Sequence, residues 1–181
     1  MKTLKLLLPI VALLLLSACG SIKVATDYDT ATDFTQYKTF AFYKKGIDKV
    51  EISDLDKRRI LKGIEAELIA RGYTKSENPD ILVSIFAKSR QKVNIYNDNF
   101  MYGYGWFPFY YGPNPGVRID EYTEGTLFID FIDAKKKQLA WQGIGSGALN
   151  NYKSVEKKEA KMREFVEKIM ELYPVQKPQT N

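Results

Sequence analysis

The chain has 181 residues, 27 of them basic and 22 acidic, for a formal net charge of +5 with no histidine. Lacking histidine, it lacks the commonest general base, the commonest metal ligand and the usual pH switch. The mild positive charge is mixed with acidic residues throughout, which argues against a nucleic-acid binder, and one cysteine excludes an internal disulfide, so packing must hold the fold.

Lys2 and Lys5 precede an apolar run from Leu6 to Leu16, and small residues follow. A basic start, a short apolar middle and a small-residue end have the layout of an export signal. The run is too short to span a bilayer, which needs about 20 residues. Leu16-Ser17-Ala18-Cys19 resembles the lipobox of bacterial lipoproteins. The resemblance implies removal of residues 1–18 as a signal peptide, a diacylglycerol on the Cys19 sulfur and acylation of the new α-amine. One acyl chain holds a protein at a membrane marginally, whereas two or more hold it stably. Ordinary secretion, with cutting after Gly20 on an Ala18-x-Gly20 pattern, is the alternative and would leave a soluble protein. In diderm lipoproteins an Asp after the lipidated cysteine often means inner-membrane retention. Gly20 stands there instead, which leans toward the outer membrane.

From Cys19 onward the chain reads as one domain, 19–181. Ile22, Val24, Thr26 and Tyr28 alternate with more polar neighbours, a strand period. Asp29 to Thr35 is a polar turn region, and Lys38 to Tyr43 a second strand rich in aromatics. Ser53 opens a helix, with Asp56 three residues on as a capping-box partner. Leu61, Ile64 and Leu68 repeat at helical spacing, Ile60 and Ile69 widen the stripe, and Gly72 suits the left-handed position that ends it. Pro79 and Asp80 turn the chain into a nearly continuous apolar run, Ile81 to Phe86, which continues with alternation to Ile95.

Nine of the sixteen residues from Tyr96 to Tyr111 are aromatic, and glycines and prolines interrupt them. Residues 97–117 are predicted as a loop or loosely ordered insert. Val117 to Tyr122 resumes strand character, and Thr126 to Ile132 follows. Asp133 to Lys137 forms a hairpin turn, with Gln138 to Ile144 as its return strand. A last helix runs from about Ser154 to Tyr173. It carries one ridge of Phe165, Ile169 and Tyr173 and another of Met162, Val166 and Met170, and Pro174 stops it. This order predicts an α+β fold: an antiparallel-rich sheet of about five strands with two helices packed on one face.

Two segments, Glu124 to Ala134 and Leu139-Ala140-Trp141-Gln142-Gly143, resemble the envelope lipoprotein family known as domain of unknown function 4136. Asp33 to Phe42, Arg71-Gly72-Tyr73 and Pro79 to Val83 fit the same pattern, as does the glycine-aromatic insert. The resemblance spans nearly the whole chain after the signal and implies no activity, substrate or catalytic residue. Trp141 and the alternating apolar residues read as sheet core, and Gly125 and Gly143 as strand-edge devices.

Other motifs have plain readings. Gly143 to Ala148 matches G-x-G-x-x-A, but Leu149 to Tyr152 separate it from the next helix, so it reads as a flexible connector. Ser146 between glycines has no histidine to act as its base. Asp27, Asp29 and Asp33 fail the calcium-loop pattern at Ala31, Thr32 and Lys38 and read as a solvated turn. Glu121, Glu124, Asp130 and Asp133 are the carboxylates that could converge for glycan hydrolysis. Lys135 to Lys137 solvate a turn tip, with contact to an anionic lipid or polysaccharide as the other reading.

The aromatic insert is the strongest interaction candidate. Tyr102, Tyr104, Trp106, Phe107, Phe109, Tyr110 and Tyr111 offer large contact areas with polar edges, suited to proteins, sugars or headgroups. The opposing reading folds the insert back over the sheet. The expectation is a lipid-anchored bacterial cell-envelope protein, non-catalytic, that binds or supports through this insert. The alternative is a carboxylate-based hydrolase of envelope polysaccharide. No cofactor, metal or nucleic acid is expected. The partners are the membrane, through lipid on Cys19, and an envelope protein or glycan.

Overall fold

A computed structural model describes the backbone of residues 22–96, 118–149, 152 and 154–175, and the side chains of the same residues apart from 93–96 and 118–121. The elements are β1 (Lys23–Tyr28), a 3-10 turn (Phe34–Gln36), β2 (Thr39–Phe42), α1 (Lys44–Ile47), α2 (Asp54–Ala70), β3 (Thr74–Lys75), β4 (Ile81–Tyr96), β5 (Arg118–Asp133), β6 (Gln138–Leu149) and α3 (Val155–Met170). The strands form one sheet in the order β1-β6-β5-β4-β2-β3.

The α+β class holds, but the sheet is mixed and six-stranded rather than antiparallel-rich with about five strands. β1, β6, β5 and β4 pair antiparallel, whereas β4, β2 and β3 pair parallel. The physical reason is the connection: α1 and α2 lie between β2 and β4, and a helical crossover joins neighbouring strands in parallel. Asp80 fixes that junction. Its Oδ2 accepts from the Lys38 and Thr39 amides, both at 3.0 Å, and from the Thr39 hydroxyl at 2.8 Å. These donors, the Lys38 amide first, hold its carboxyl below the usual range.

Residues 118–133, expected as two strands, form one. β4 and β5 pair over their full length, from Ile81 opposite Asp133 to Tyr96 opposite Arg118. Gly143 to Ala148 is also strand rather than connector, because β6 runs on to Leu149. The expected turn between β5 and β6 is present. Asp133 Oδ1 accepts from the Lys135 and Lys136 amides at 2.9 and 2.7 Å, and Lys137 takes φ 57°.

Both long helices lie on the sheet face lined by odd-numbered residues, including Val83, Ile85, Ile129, Phe131 and Trp141. Ser53 and Ser154 cap them, accepting from the amides three residues on. From α2, Ile60, Ile64 and Leu68 are buried, but Ile69 turns outward at 55% exposure, correcting the wider stripe. From α3, Phe165, Val166, Ile169 and Met170 are buried, with Tyr173 just beyond.

The β6 glycines let α3 sit close. A Cβ at Gly145 would lie 2.8 Å from Ile169 Cδ1, and one at Gly147 would lie 3.0 Å from Phe165 Cζ. Gly143 likewise leaves its space to Ile169 and Trp141. The G-x-G-x-x-A run is therefore a seat for a helix, not a phosphate loop. Arg71 then ties the helix ends together. Its guanidinium donates to Met170 O at 2.8 Å, Val175 O at 3.0 Å and Glu67 O at 2.9 Å, and it pairs with the Glu67 carboxylate.

Candidate functional site

Cys19 and the aromatic residues Tyr102, Tyr104, Trp106, Phe107, Phe109, Tyr110 and Tyr111 lie outside the described residues. The places where their segments join the fold are described. β1 begins at Lys23, opposite Ser146 near the end of β6, and Ser146 lies opposite Thr126, which faces Lys88. Lys23, Ser146, Thr126 and Lys88 thus form one row across four strands. Beyond this row β4 continues to Tyr96 and β5 starts at Arg118. Eight more residues at about 3.4 Å each carry the hairpin roughly 27 Å further. Pairing with β6 stops at Thr123, so the last part is a two-stranded ribbon. The chain from Cys19 and the insert 97–117 therefore enter at the same end of the sheet.

A cavity of about 450 Å³ opens at this end, on the helix-bearing face. Its walls are mostly apolar: Ile60 of α2, Met162 and Phe165 of α3, and Ala87, Leu127 and Leu149 of the sheet. Gly125 is part of its construction. A Cβ there would lie 2.8 Å from Leu149 Cγ, so the missing side chain seats Leu149 against β5. Gly125 is thus a packing position inside the sheet, not the strand-edge device expected.

Glu51, Ser89 and Tyr152 add polar groups to the lining, and two of the charged groups there, Asp56 and Lys158, pair with each other. Lys158 Nζ lies 2.7 Å from Asp56 Oδ2, and Arg59 lies 2.8 Å from Asp56 Oδ1. Burial opposes ionisation of Asp56, but hydrogen bonds from Lys158, Ser53 and Arg59 outweigh it and hold the carboxyl below its usual range. The Thr126 hydroxyl lies 3.0 Å from Ser146 Oγ.

The opposite face of the sheet, even-numbered on β4, β5 and β6, has an apolar row of its own: Phe86, Phe128, Ile144 and, from β1, Ala25 in register. Phe86 is 44% exposed, its ring lies 5.7 Å from that of Phe128, and Lys88 Nζ sits 5.3 and 6.0 Å from the two centroids. Flanking it, Glu124 pairs with Lys92 at 2.7 Å and with Arg90 at 2.7 Å. Those two cations, Lys92 first, hold its carboxyl low.

The carboxylates singled out in the sequence do not converge. Glu124 and Asp130 share a face but are six residues apart on one strand, about 20 Å. Burial raises the Asp130 carboxyl, and a bond of 2.7 Å from Gln142 Nε2 offsets this only in part. Asp133 lies on the other face, accepting from the Tyr37 hydroxyl at 2.8 Å. The Glu121 side chain lies outside the described part. Asp29 and Asp33 act as turn residues, accepting from Ala31 and Thr35 amides at 2.9 Å each. Among the described residues no group of three His, Cys, Asp or Glu side chains could hold a metal.

Sequence reasoning missed the cavity. Leu127, Met162 and Phe165 read as ordinary core positions, and periodicity does not distinguish a wall packed shut from one left open. The exposed Phe86 row had a signal: an apolar run without alternation places apolar residues on both faces.

No curated protein matches the chain. Among solved structures, a PDZ domain protein from Parabacteroides distasonis ATCC 8503 is 20% identical with a TM-score of 0.52; the match covers 87% of this chain and 37% of that one. This chain thus spans little more than a third of that protein, and the likeness is one of fold. A PelC dodecamer from Paraburkholderia phytofirmans is 11% identical with a TM-score of 0.49, covering 83% of this chain and 96% of that one. A minor lipoprotein from Acinetobacter baumannii is 9% identical with a TM-score of 0.38, covering 75% of this chain and 87% of that one. The family model described as Domain of unknown function (DUF4136) matches residues 24–175, and the chain belongs to that family.

Proposed function

We propose that this is a lipid-anchored bacterial envelope protein, held at the outer membrane through Cys19, that works as a non-catalytic binding module. The observation that carries this reading is the shared end of the sheet. Ile22 begins the described fold, three residues after Cys19. Three residues reach at most about 11 Å. A lipid on Cys19 would therefore hold the domain against the bilayer with its hairpin arm at the membrane-facing end. The aromatic insert, with Trp106 at its centre, is carried on that arm. Its contact is with an envelope protein or glycan next to the membrane, where amphipathic rings combine apolar area with hydrogen bonding.

The hydrolase alternative has less support, because Glu124, Asp130 and Asp133 are spread over two faces. Paired glycosidase carboxylates sit roughly 5–10 Å apart.

Deleting residues 98–116 from the lipidated protein tests the binding role, with crosslinking in cells as the readout. The expected result is an unchanged melting temperature and loss of the crosslinked envelope species. Unaltered crosslinks would refute the role of the insert. Cys19→Ser tests the anchor: the processed protein should leave the membrane fraction, and its retention there would refute lipid attachment.

A further inference from the structure

We propose that the cavity between the sheet and the N-terminal halves of α2 and α3 receives one of the acyl chains carried by Cys19. The inference rests on the lipid reading of Cys19 given above and adds a binding site to it.

Three observations point there. The volume, about 450 Å³, falls within the roughly 300–1,000 Å³ typical of small-molecule sites. The surface offered is aliphatic and aromatic, and Leu149 remains 40% exposed although it forms one wall. Of the charged groups in the lining, Asp56 and Lys158 satisfy each other, with Arg59 holding Asp56 from outside, and Glu51 is a single carboxylate that offers an anionic polar ligand no counter-charge. A flexible apolar chain suits the part walled by Ile60, Leu127, Leu149, Met162 and Phe165 better than a sugar or nucleotide, whose polar groups would find no partners against those side chains.

The occupant is argued from where the chain ends. A Cβ at Gly147 would lie 3.0 Å from Phe165 and 3.5 Å from Ile22 Cγ1, which puts Ile22 beside the ring that walls the cavity. Cys19 is three residues upstream, within about 11 Å. The tether holds an acyl chain near the opening at high effective concentration, so no free lipid need compete for the site. With two or more chains on the cysteine, one can enter the protein while the others stay in the bilayer. The domain would then be oriented as well as attached.

The test compares two forms of the protein with cis-parinaric acid as a fluorescent fatty-acid probe. One is the lipidated protein extracted from membranes, its lipid verified by intact mass. The other is the chain produced without residues 1–18, so that Cys19 stays unmodified; every fully buried core residue lies at or after Phe34, and Ile22 and Val24 that pack against them also remain, so the core is retained. The unmodified form should bind one equivalent of probe, and the lipidated form essentially none. Across octanoate, decanoate, laurate and palmitate as competitors, affinity should climb by roughly fourfold per methylene until the cavity is full. Met162→Trp, which fills the cavity, and Leu149→Lys, which charges its wall, should each weaken binding by about tenfold or more. Met162 and Leu149 are not fully buried, and near-ultraviolet circular dichroism confirms that each variant is folded.

No probe binding by the unmodified chain, or binding unaffected by both substitutions, overturns the proposal. Equal binding by the lipidated form overturns the choice of occupant. An intact mass without acyl groups overturns the reading of Cys19 and this inference with it, whereas a lipidated mass with an open cavity overturns this inference alone.

Discussion

The two ends of the sheet are built differently. At the end away from Lys23, Tyr173 sits among rings with centroids at 4.9 Å for Phe131, 5.2 Å for Trp141 and 5.8 Å for Phe34. Its hydroxyl lies 2.8 Å from that of Tyr73, and burial, followed by the Tyr73 interaction, raises its pKa. Arg71 closes the same region by binding the last carbonyl of α3, that of Met170. At the Lys23 end the same layers separate around a cavity, and among the described residues the sheet continues as a two-stranded ribbon. Stability is concentrated at one end, leaving the other free for contacts that packing does not require.

The largest expected effect lies at the closed end. Trp141→Ala removes a fully buried ring and should cost about 3–5 kcal/mol, read as a lower denaturant midpoint. A loss below about 1 kcal/mol would mean that this end is not the source of stability. Gly145→Val forces a side chain against Ile169 and should cost about 1–3 kcal/mol by lifting α3.

Asp133→Asn sharpens the comparison through pH. Burial opposes ionisation of Asp133, yet bonds from the Lys136 amide, the Tyr37 hydroxyl and the Lys135 amide outweigh it and lower its pKa. Its contribution is therefore present above the unfolded value of 3.8 and lost as pH falls through the folded value. Relative to Asp133→Asn, the parent should be more stable at neutral pH, with the gap closing in acid.

Met162→Ala at the open end should cost less than about 1 kcal/mol, because the cavity wall is already incompletely packed. The smallest effect is Asp130→Asn. The folded pKa of Asp130 is raised, so its favourable term exists below the unfolded value and disappears as pH rises through the folded one. The variant should equal or exceed the parent in stability at neutral pH, and the difference should vanish in acid. Thermal melts across pH check both carboxylates.

Where the relevant physics is local, the sequence was legible. Ser53 and Gly72 mark the ends of α2: the first accepts from the Asp56 amide, and the second takes φ 86°. The Asp133 turn follows from its own side chain bonding two amides ahead. Legibility fell where a residue's meaning depended on a distant partner. Gly145 and Gly147 looked like loop, and Gly143 like a strand-edge device, because glycine is rare within strands; only the presence of Ile169 and Phe165 above them explains the missing side chains. β3 pairs only two residues with β2, too short for any periodicity. The candidate site was half legible: Cys19 and the aromatic insert stand out in composition, whereas the cavity beside their points of entry does not.

The sequence by itself determined the export-signal layout, the lack of histidine chemistry, the two amphipathic helices and most of the strand segments, because each depends on residue type and on spacing along the chain. Tertiary structure alone decided that β2 and β4 run parallel and that the start of β1 and the β4–β5 arm share an end. It also decided that layers tightly closed around Tyr173 part around a cavity at the other end. These outcomes are set by how distant segments meet, and period and propensity do not specify which faces come together or how completely they close.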